Sequence, residues 1–311
     1  MGENGTFWLP EGASTLSPEF DSLFYFVVIV STLIFLGVVG GMLYFSFVYR
    51  RRNEAEMPEP VHDNKLIEMA SVVIPTVLSL IVFTWGFKMY VKMYVAPPDS
   101  YQVHVRAQQW SWEFDYPNGT KSIGELHVPE GRPVRLIMNS KDVIHSFFVP
   151  AFRVKMDVLP NRYTSVWFNA TKTGEFDIFC AEYCGTAHSK MLGKVVVQSE
   201  SDFTNWLASS QKGSQTPVEH GQTLFTQMTC NACHTIDGSP LVGPSFKGLF
   251  GHEVKLADGS TITADENYIR ESILQPGAKV VNGYSPIMPA TYSTMASEDV
   301  DALIAYIKTL K

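Results

Sequence analysis

Residues 180–191 read CAEYCGTAHSKM, and this stretch decides what the middle of the chain must be. Cys180, Cys184, His188 and Met191 put two thiols, an imidazole and a thioether into one short loop. A donor set this soft suits copper. A zinc site would take cysteines and histidines but has no use for the methionine. Thiolates four positions apart can bridge two copper ions into one delocalised pair, with a terminal ligand on each ion. A second histidine is then required from elsewhere in the fold. His145, in VIHSFFVP (143–150), is the candidate, between a polar turn and an aromatic strand. A histidine alone in that setting is more often an ordinary core or surface residue, but the cysteine loop reverses that reading. His62, His104, His127 and His220 lack comparable surroundings and read as ordinary.

On both sides of this loop the sequence alternates in short runs. Residues 101–106, 133–139, 164–168, 175–179 and 194–198 read as strands separated by Gly, Pro and Asn turns. Several short strands in this span predict an antiparallel sandwich or barrel. Residues 201–209 read as a short helix, and SQKGSQTP (210–217) is polar, with no apolar anchor, as expected of a linker.

Beyond the linker the pattern turns helical, with segments ending near Met228, over 268–274 and over 297–310. Ser297, followed by Glu298 and Asp299, is a helix-start signal, because acids favour the positive end of the helix dipole. CNACH (230–234) is the C-x-x-C-H signature of covalent haem attachment. Cys230 and Cys233 can each form a thioether to a haem vinyl group, and His234 supplies an axial ligand. A thioredoxin-like redox pair is the rival, but it expects a β-α-β context that is missing here. The sixth ligand is expected to be a thioether on the opposite face, which raises the haem potential. Met288 in GYSPIMP (283–289) is the choice, with Met295 and His252 as alternatives.

Towards the N-terminus, residues 23–49 contain no charged side chain, a run of 27 that exceeds the roughly 20 needed to cross a bilayer. A second apolar run covers 69–87, interrupted only by Pro75 and Gly86. Together they read as a transmembrane hairpin. No Lys or Arg precedes Arg50, whereas Arg50, Arg51, Arg52 and Lys65 lie in the connecting loop. The positive-inside rule places that loop in the cytoplasm, with the N-terminus and everything after Val95 outside. A secretory signal is disfavoured, since residues 1–22 carry Glu3, Glu11, Glu19 and Asp21 and no basic residue. Glu68 stands one turn inside the second span, where an acid is costly and marks function unless it reaches the interface.

The net charge of −7 conceals a split. Residues 101–199 hold 11 Lys/Arg against 9 Asp/Glu, and residues 217–311 hold 6 against 10. Neither balance suggests a nucleic-acid partner. The expected organisation is an outer segment (1–21), a membrane hairpin (22–95), a β domain (96–209), a linker (210–216) and a small α domain (217–311).

Two family resemblances sharpen these expectations. Residues 217–311 resemble class I cytochrome c: the Met in a proline-flanked loop before the last helix matches the family's axial ligand. Gly243-Pro244 matches the loop whose carbonyl receives the histidine ring N–H, and Gly221, Phe225 and Tyr306 match the packed terminal helices. Residues 20–209 resemble cytochrome c oxidase subunit II in the hairpin, QWSWEF (109–114), HSFFVP (145–150), KMDVLP (155–160) and the cysteine loop. With the tail, the chain is similar to subunit II of bacterial caa-type oxidases.

The resemblance implies a cupredoxin-like sandwich holding the dinuclear copper A centre on His145, Cys180, Cys184, His188, Met191 and the Glu182 carbonyl. It implies that the Glu182 side chain binds a magnesium or manganese ion shared with subunit I. Trp110 would be the tryptophan through which electrons arrive, and Glu68, seven residues before Pro75, would stand at the mouth of a proton channel. Ser111 departs from a common tyrosine and Asn161 from a common glycine.

The implied function is electron relay from haem c to copper A and on to subunit I, which carries haem a and copper B. There oxygen is reduced to water and protons are pumped; this chain alone has no oxygen-reducing site. Subunit III and a donor such as a cytochrome bc-type complex or cytochrome c are the further implied partners, and the bacterial plasma membrane the location. A copper-delivery protein would need neither Met191, haem nor a hairpin. A nitrogen-oxide reductase is disfavoured by Glu68 and the oxidase-like hairpin, and a quinol oxidase subunit by the intact copper ligands.

Overall fold

The computed structural model describes residues 5–53, 57, 63–210 and 216–311. His62 and residues 211–215 of the expected linker lie outside them. The chain divides into two compact units, Leu16–Val95 and the remainder.

The first unit is two helices, α1 (Ser17–Val48) and α2 (Lys65–Tyr94). Their apolar side chains point outward almost everywhere, with Leu33, Phe35, Val72 and Phe83 all well exposed. Such surfaces are stable only in a non-aqueous medium, and helices satisfy every backbone group internally there. At one end Lys92 pairs with Glu19 at 2.6 Å, and further along Phe26 packs on Trp85. Asn64 caps α2 by accepting the N–H groups of Leu66 and Ile67, and Glu68 follows within the first turn. Pro75 lies inside α2.

The second unit begins with a sandwich of two five-stranded sheets. Strands β1 (Tyr101–Gln108), β2 (Ser111–Asp115), β3 (Lys121–Ile123), β5 (Pro133–Ser140) and β8 (Thr164–Asn169) form one sheet, in the order β3-β2-β1-β5-β8. Strands β4 (Glu125–Pro129), β6 (His145–Val149), β7 (Val154–Val158), β9 (Gly174–Cys180) and β10 (Leu192–Gln198) form the other, in the order β4-β10-β9-β6-β7. The pairs β1–β5 and β4–β10 are parallel and the rest antiparallel, so the expectation of a purely antiparallel sandwich is corrected. Alternation explains the burial: Val134, Leu136 and Met138 of β5 face inward while their neighbours are half-exposed. Trp112, Phe114, Phe147, Phe152 and Phe168 fill the core.

Within the sandwich, β2, β3, β4 and β7 are absent from the sequence expectation; they are short and carry charged or aromatic residues that mask the alternation. Asn161 has φ +56, a left-handed conformation that asparagine tolerates better than most residues. The sandwich is followed by α3 (Glu200–Ser210).

The C-terminal region packs α4 (Pro217–Gln227) against α6 (Ser297–Ile307), with α5 (Glu266–Leu274) and a small hairpin, β11 (Glu253–Lys255) and β12 (Thr261–Thr263). Thr216 and Glu219 close α4 with a reciprocal capping box. Helix α6 starts at Ser297, but the capping position is Ala296 and no side chain caps it; Ser297 is already helical. Gly221 is the crossing point of α4 and α6, where a Cβ would lie 2.0 Å from the Ala302 carbonyl oxygen. Phe225 and Tyr306 pack beside it with tilted rings, 5.7 Å between ring centres.

Candidate metal centre and haem pocket

The sandwich converges five donor side chains at one end: His145, Cys180, Cys184, His188 and Met191. His145 opens β6, Cys180 closes β9, and the pairing of Phe147 with Cys180 sets these strands side by side. Between β9 and β10 the loop turns through Cys184, a 3-10 turn at His188–Lys190, and Met191. Its path is fixed by backbone bonds from Ala181 N–H to the Ser146 carbonyl (2.9 Å) and from Cys180 N–H to the Met191 carbonyl (3.3 Å).

The Cys180 and Cys184 sulfurs lie 3.8 Å apart. His145 Nδ1 is 3.9 Å from the first, and His188 Nδ1 is 3.4 Å from the second. Met191 Sδ is 3.8 Å from Cys184 Sγ, and the Glu182 carbonyl oxygen is 3.2 Å from Cys180 Sγ. His145 and Met191 are fully buried, while the Glu182 side chain is exposed.

The electrostatics set the two thiols apart. The hydrogen bond with Cys184 drives the Cys180 thiol far below its ordinary value; burial opposes this, and His145 assists. The same sharing, together with burial, drives Cys184 up. His145 is turned by Asp142, whose carboxylate sits 2.8 Å from Nε2. That bond assigns the ring proton to Nε2 and leaves Nδ1 to face the sulfurs. Burial works against ionisation of Asp142, but hydrogen bonds from His145 and from the Gln109 and Val143 N–H groups hold its carboxyl low. Two sulfurs in a core, an imidazole at each end, a thioether and a carbonyl are a set that fits two copper ions. Asp142 was not singled out from sequence; its only signal is an acid one turn ahead of a proposed ligand histidine.

The haem motif occupies a different kind of place. Cys230, Cys233 and His234 open onto a cavity of about 510 Å³ that is walled mostly by apolar side chains. Met288 and Met295 both line it, as do Tyr268, Tyr292 and Leu303, whereas His252 is exposed and is not among the lining residues. The His234 Nδ1–H donates to the Pro244 carbonyl at 2.7 Å, which leaves Nε2 as the free donor atom. Burial lowers the His234 pKa, with the Pro244 bond opposing, which favours the neutral ring. Phe246 stacks on it, ring centres 4.4 Å apart, and Gly243 has to lack a side chain, since a Cβ would lie 2.7 Å from His234 Cε1. Two thiols, one oriented imidazole and thioethers around an apolar cavity fit a covalently held haem. Burial raises the pKa of both Cys230 and Cys233.

Trp110 stands between the two places. Its indole N–H donates to the Cys184 carbonyl at 3.2 Å, Gln109 Nε2–H donates to the same oxygen at 2.7 Å, and the residue also lines the haem cavity. Trp112 lies behind the cluster, packed on His145 and Phe147. Glu68 lies in the helical unit, exposed on α2.

Fold and donor sets define a membrane-bound electron-transfer protein whose sites imply copper and haem c. Comparison with known proteins agrees. Residues 2–89 match the family described as cytochrome c oxidase subunit II, transmembrane domain, residues 123–200 its periplasmic domain, and residues 218–311 cytochrome c. A cytochrome c oxidase subunit 2 from Alkalihalophilus pseudofirmus is 30% identical over 297 residues, covering 91% of this chain and 85% of that protein. One from Bacillus subtilis is 28% identical, covering 96% and 92%. The crystal structure of the periplasmic domain of cytochrome oxidase subunit II from Bradyrhizobium japonicum is 30% identical, covering 38% of this chain and 98% of that one, with a TM-score of 0.37. The chain belongs to the cytochrome c oxidase subunit 2 family, with a C-terminal cytochrome c domain. It is therefore one part of a haem–copper oxidase complex, anchored by two transmembrane helices.

Proposed function

We propose that this subunit passes electrons from an external donor through haem c to the dinuclear copper centre and on to subunit I, for reduction of oxygen to water coupled to proton translocation. The bound metals supply the one-electron chemistry, and the protein supplies orientation, insulation and potential. The observation that carries this reading is the proximity of two distinct donor sets in one compact unit, with Trp110 hydrogen-bonded to the Cys184 carbonyl and lining the haem cavity.

In this reading Cys180, Cys184, His145, His188, Met191 and the Glu182 carbonyl would hold the two copper ions, which would supply the one-electron chemistry at this end of the relay. Asp142 holds His145 in the tautomer that coordinates through Nδ1. Cys230 and Cys233 would attach the haem, and His234 and Met288 would hold its iron. Trp110 conducts between the sites. The exposed Glu182 side chain holds magnesium or manganese at the boundary with subunit I, and Glu68 marks the mouth of a proton channel there. The domains run as 1–21, 22–95, 96–209, 210–216 and 217–311. Further partners are subunit III and a cytochrome bc-type complex or cytochrome c as donor. The setting is the bacterial plasma membrane, with the N-terminus and the C-terminal domains on the outer side.

Flash reduction of the full-length subunit, with haem and copper followed at separate wavelengths, tests the order. Haem reduction is expected first, at a rate proportional to donor concentration, and copper reduction second, at a rate independent of it. Copper reduction that precedes the haem and rises with donor concentration would refute the relay.

A further inference from the structure

The residues that join the haem region to the sandwich form a specific contact. Helix α4 ends at Gln227, and Met228 and Thr229 lead from it directly into Cys230, Thr229 in the left-handed region at φ +54. Met228 is only 7% exposed, and its sulfur lies 3.9 Å from Gln108 Nε2 and 3.8 Å from Ser111 Oγ. Gln108 and Ser111 are themselves buried. Their polar groups would otherwise turn to water, and a thioether is only a weak acceptor, so this burial reflects a surface built to be covered.

Three further contacts fix the register. The Thr229 hydroxyl lies between two carbonyl acceptors, Trp110 at 3.2 Å and its own neighbour Met228 at 2.8 Å. Lys190, next to Met191, donates to the Ala232 carbonyl within the haem motif at 3.0 Å. Gln227 lies over Gly124, where an added Cβ would be 3.6 Å from its Cγ. Ser111 leaves the space that the Met228 sulfur fills, and a large side chain at 111 would occupy it.

We propose that Met228 and Thr229 form a docking knob, and Gln108, Trp110 and Ser111 its socket, which together hold the haem region in register with the copper loop. The route this creates is short: Cys230 is bonded to Thr229, Thr229 to the Trp110 carbonyl, and the Trp110 indole to the Cys184 carbonyl. One electron crosses it, oxidising the haem and reducing the copper pair, with no bond made or broken and no proton carried. The inference rests on the relay reading.

The test uses the full-length subunit with both metals bound and two readouts. The first is chloramine-T oxidation of Met228, mapped by mass spectrometry, with Met57, 85% exposed, as the internal reference. The second is the haem-to-copper step after flash reduction. In the parent protein Met228 is expected to resist oxidation while Met57 reacts. Ser111→Trp is expected to expose Met228 and slow the second step by about tenfold or more, because the tether then keeps the partners close but unregistered. Lys190→Glu is expected to give the same changes as Ser111→Trp to a smaller degree. If Ser111→Trp fails to bind copper, Lys190→Glu decides alone. The docking is overturned if Met228 stays protected and the second step keeps its rate in the variants that retain both metals. That result would leave the order of transfer intact, whereas direct reduction of copper by the donor would overturn the relay and leave the footprint unchanged.

Discussion

The copper loop and the haem pocket solve the same problem, holding a redox metal, by opposite means. At the copper loop the ligands are already close, with neighbouring donor atoms 3.4–3.9 Å apart. Two rigid sheets and a tightly bonded loop impose this, and Cys180 is driven towards a thiolate. In the haem pocket the thiols are held towards their neutral form by burial, and a cavity of about 510 Å³ stands where ligand atoms would meet. One site is defined by bonds around a few atoms, the other by the apolar walls of a cavity. Loss of one of the two cysteine sulfurs should therefore destroy the first, while the second should tolerate ligand exchange and respond instead to damage in its walls.

The largest expected effect is at Cys180. Cys180→Ser removes one of two bridging sulfurs, so the mixed-valence copper EPR signal should vanish while the haem band persists. An unchanged signal would break the comparison at its root. Met191→Leu, by contrast, should retain both coppers and shift only the spectrum and potential, because a weak thioether tunes more than it holds.

In the pocket, exchange rather than loss is expected. Met288→His should leave a low-spin haem with a potential lowered by part of the ~0.8 V range that axial ligands span. Met288→Leu should abolish the sulfur-to-iron charge-transfer band, and Met295→Leu should keep it. Both methionines line the cavity, so the reverse outcome would transfer the ligand role to Met295.

A wall mutation comes next. Gly221→Ala drives a Cβ into the Ala302 carbonyl, and overpacking of this kind costs about 1–3 kcal/mol. Thermal melting followed at the haem band should fall while the copper band is unaffected. The smallest effect belongs to Thr216→Ala, which opens the capping box of α4 and should cost about 1 kcal/mol by the same measurement.

The two regions also differed in how much the sequence disclosed. The copper donors were legible because four of them fall within one loop, where spacing alone constrains geometry. His145 needed the fold, yet its place on an aromatic strand beside a polar turn was enough to nominate it. Asp142 was not legible, because its role depends on an imidazole orientation that appears only in three dimensions. The haem attachment was legible from CNACH, and Pro244 as partner of His234 from the family resemblance. The choice between Met288 and Met295 was not resolved by spacing, since both sit in the same irregular stretch. Four of the ten sandwich strands escaped, because β2, β3, β4 and β7 carry functional or charged residues where alternation would have shown. The contact of Met228 with Ser111 was invisible, since no local pattern links residues so far apart in sequence.

The central claim, that electrons reach copper by way of haem, is tested most directly by blocking haem attachment with Cys230→Ala and Cys233→Ala. Copper should still assemble, since none of its proposed ligands is touched, and its EPR signal verifies this before kinetics are measured. Flash reduction by the external donor should then reduce copper at only a small fraction of the parent rate. Reduction of copper at the full parent rate in that variant would contradict the account.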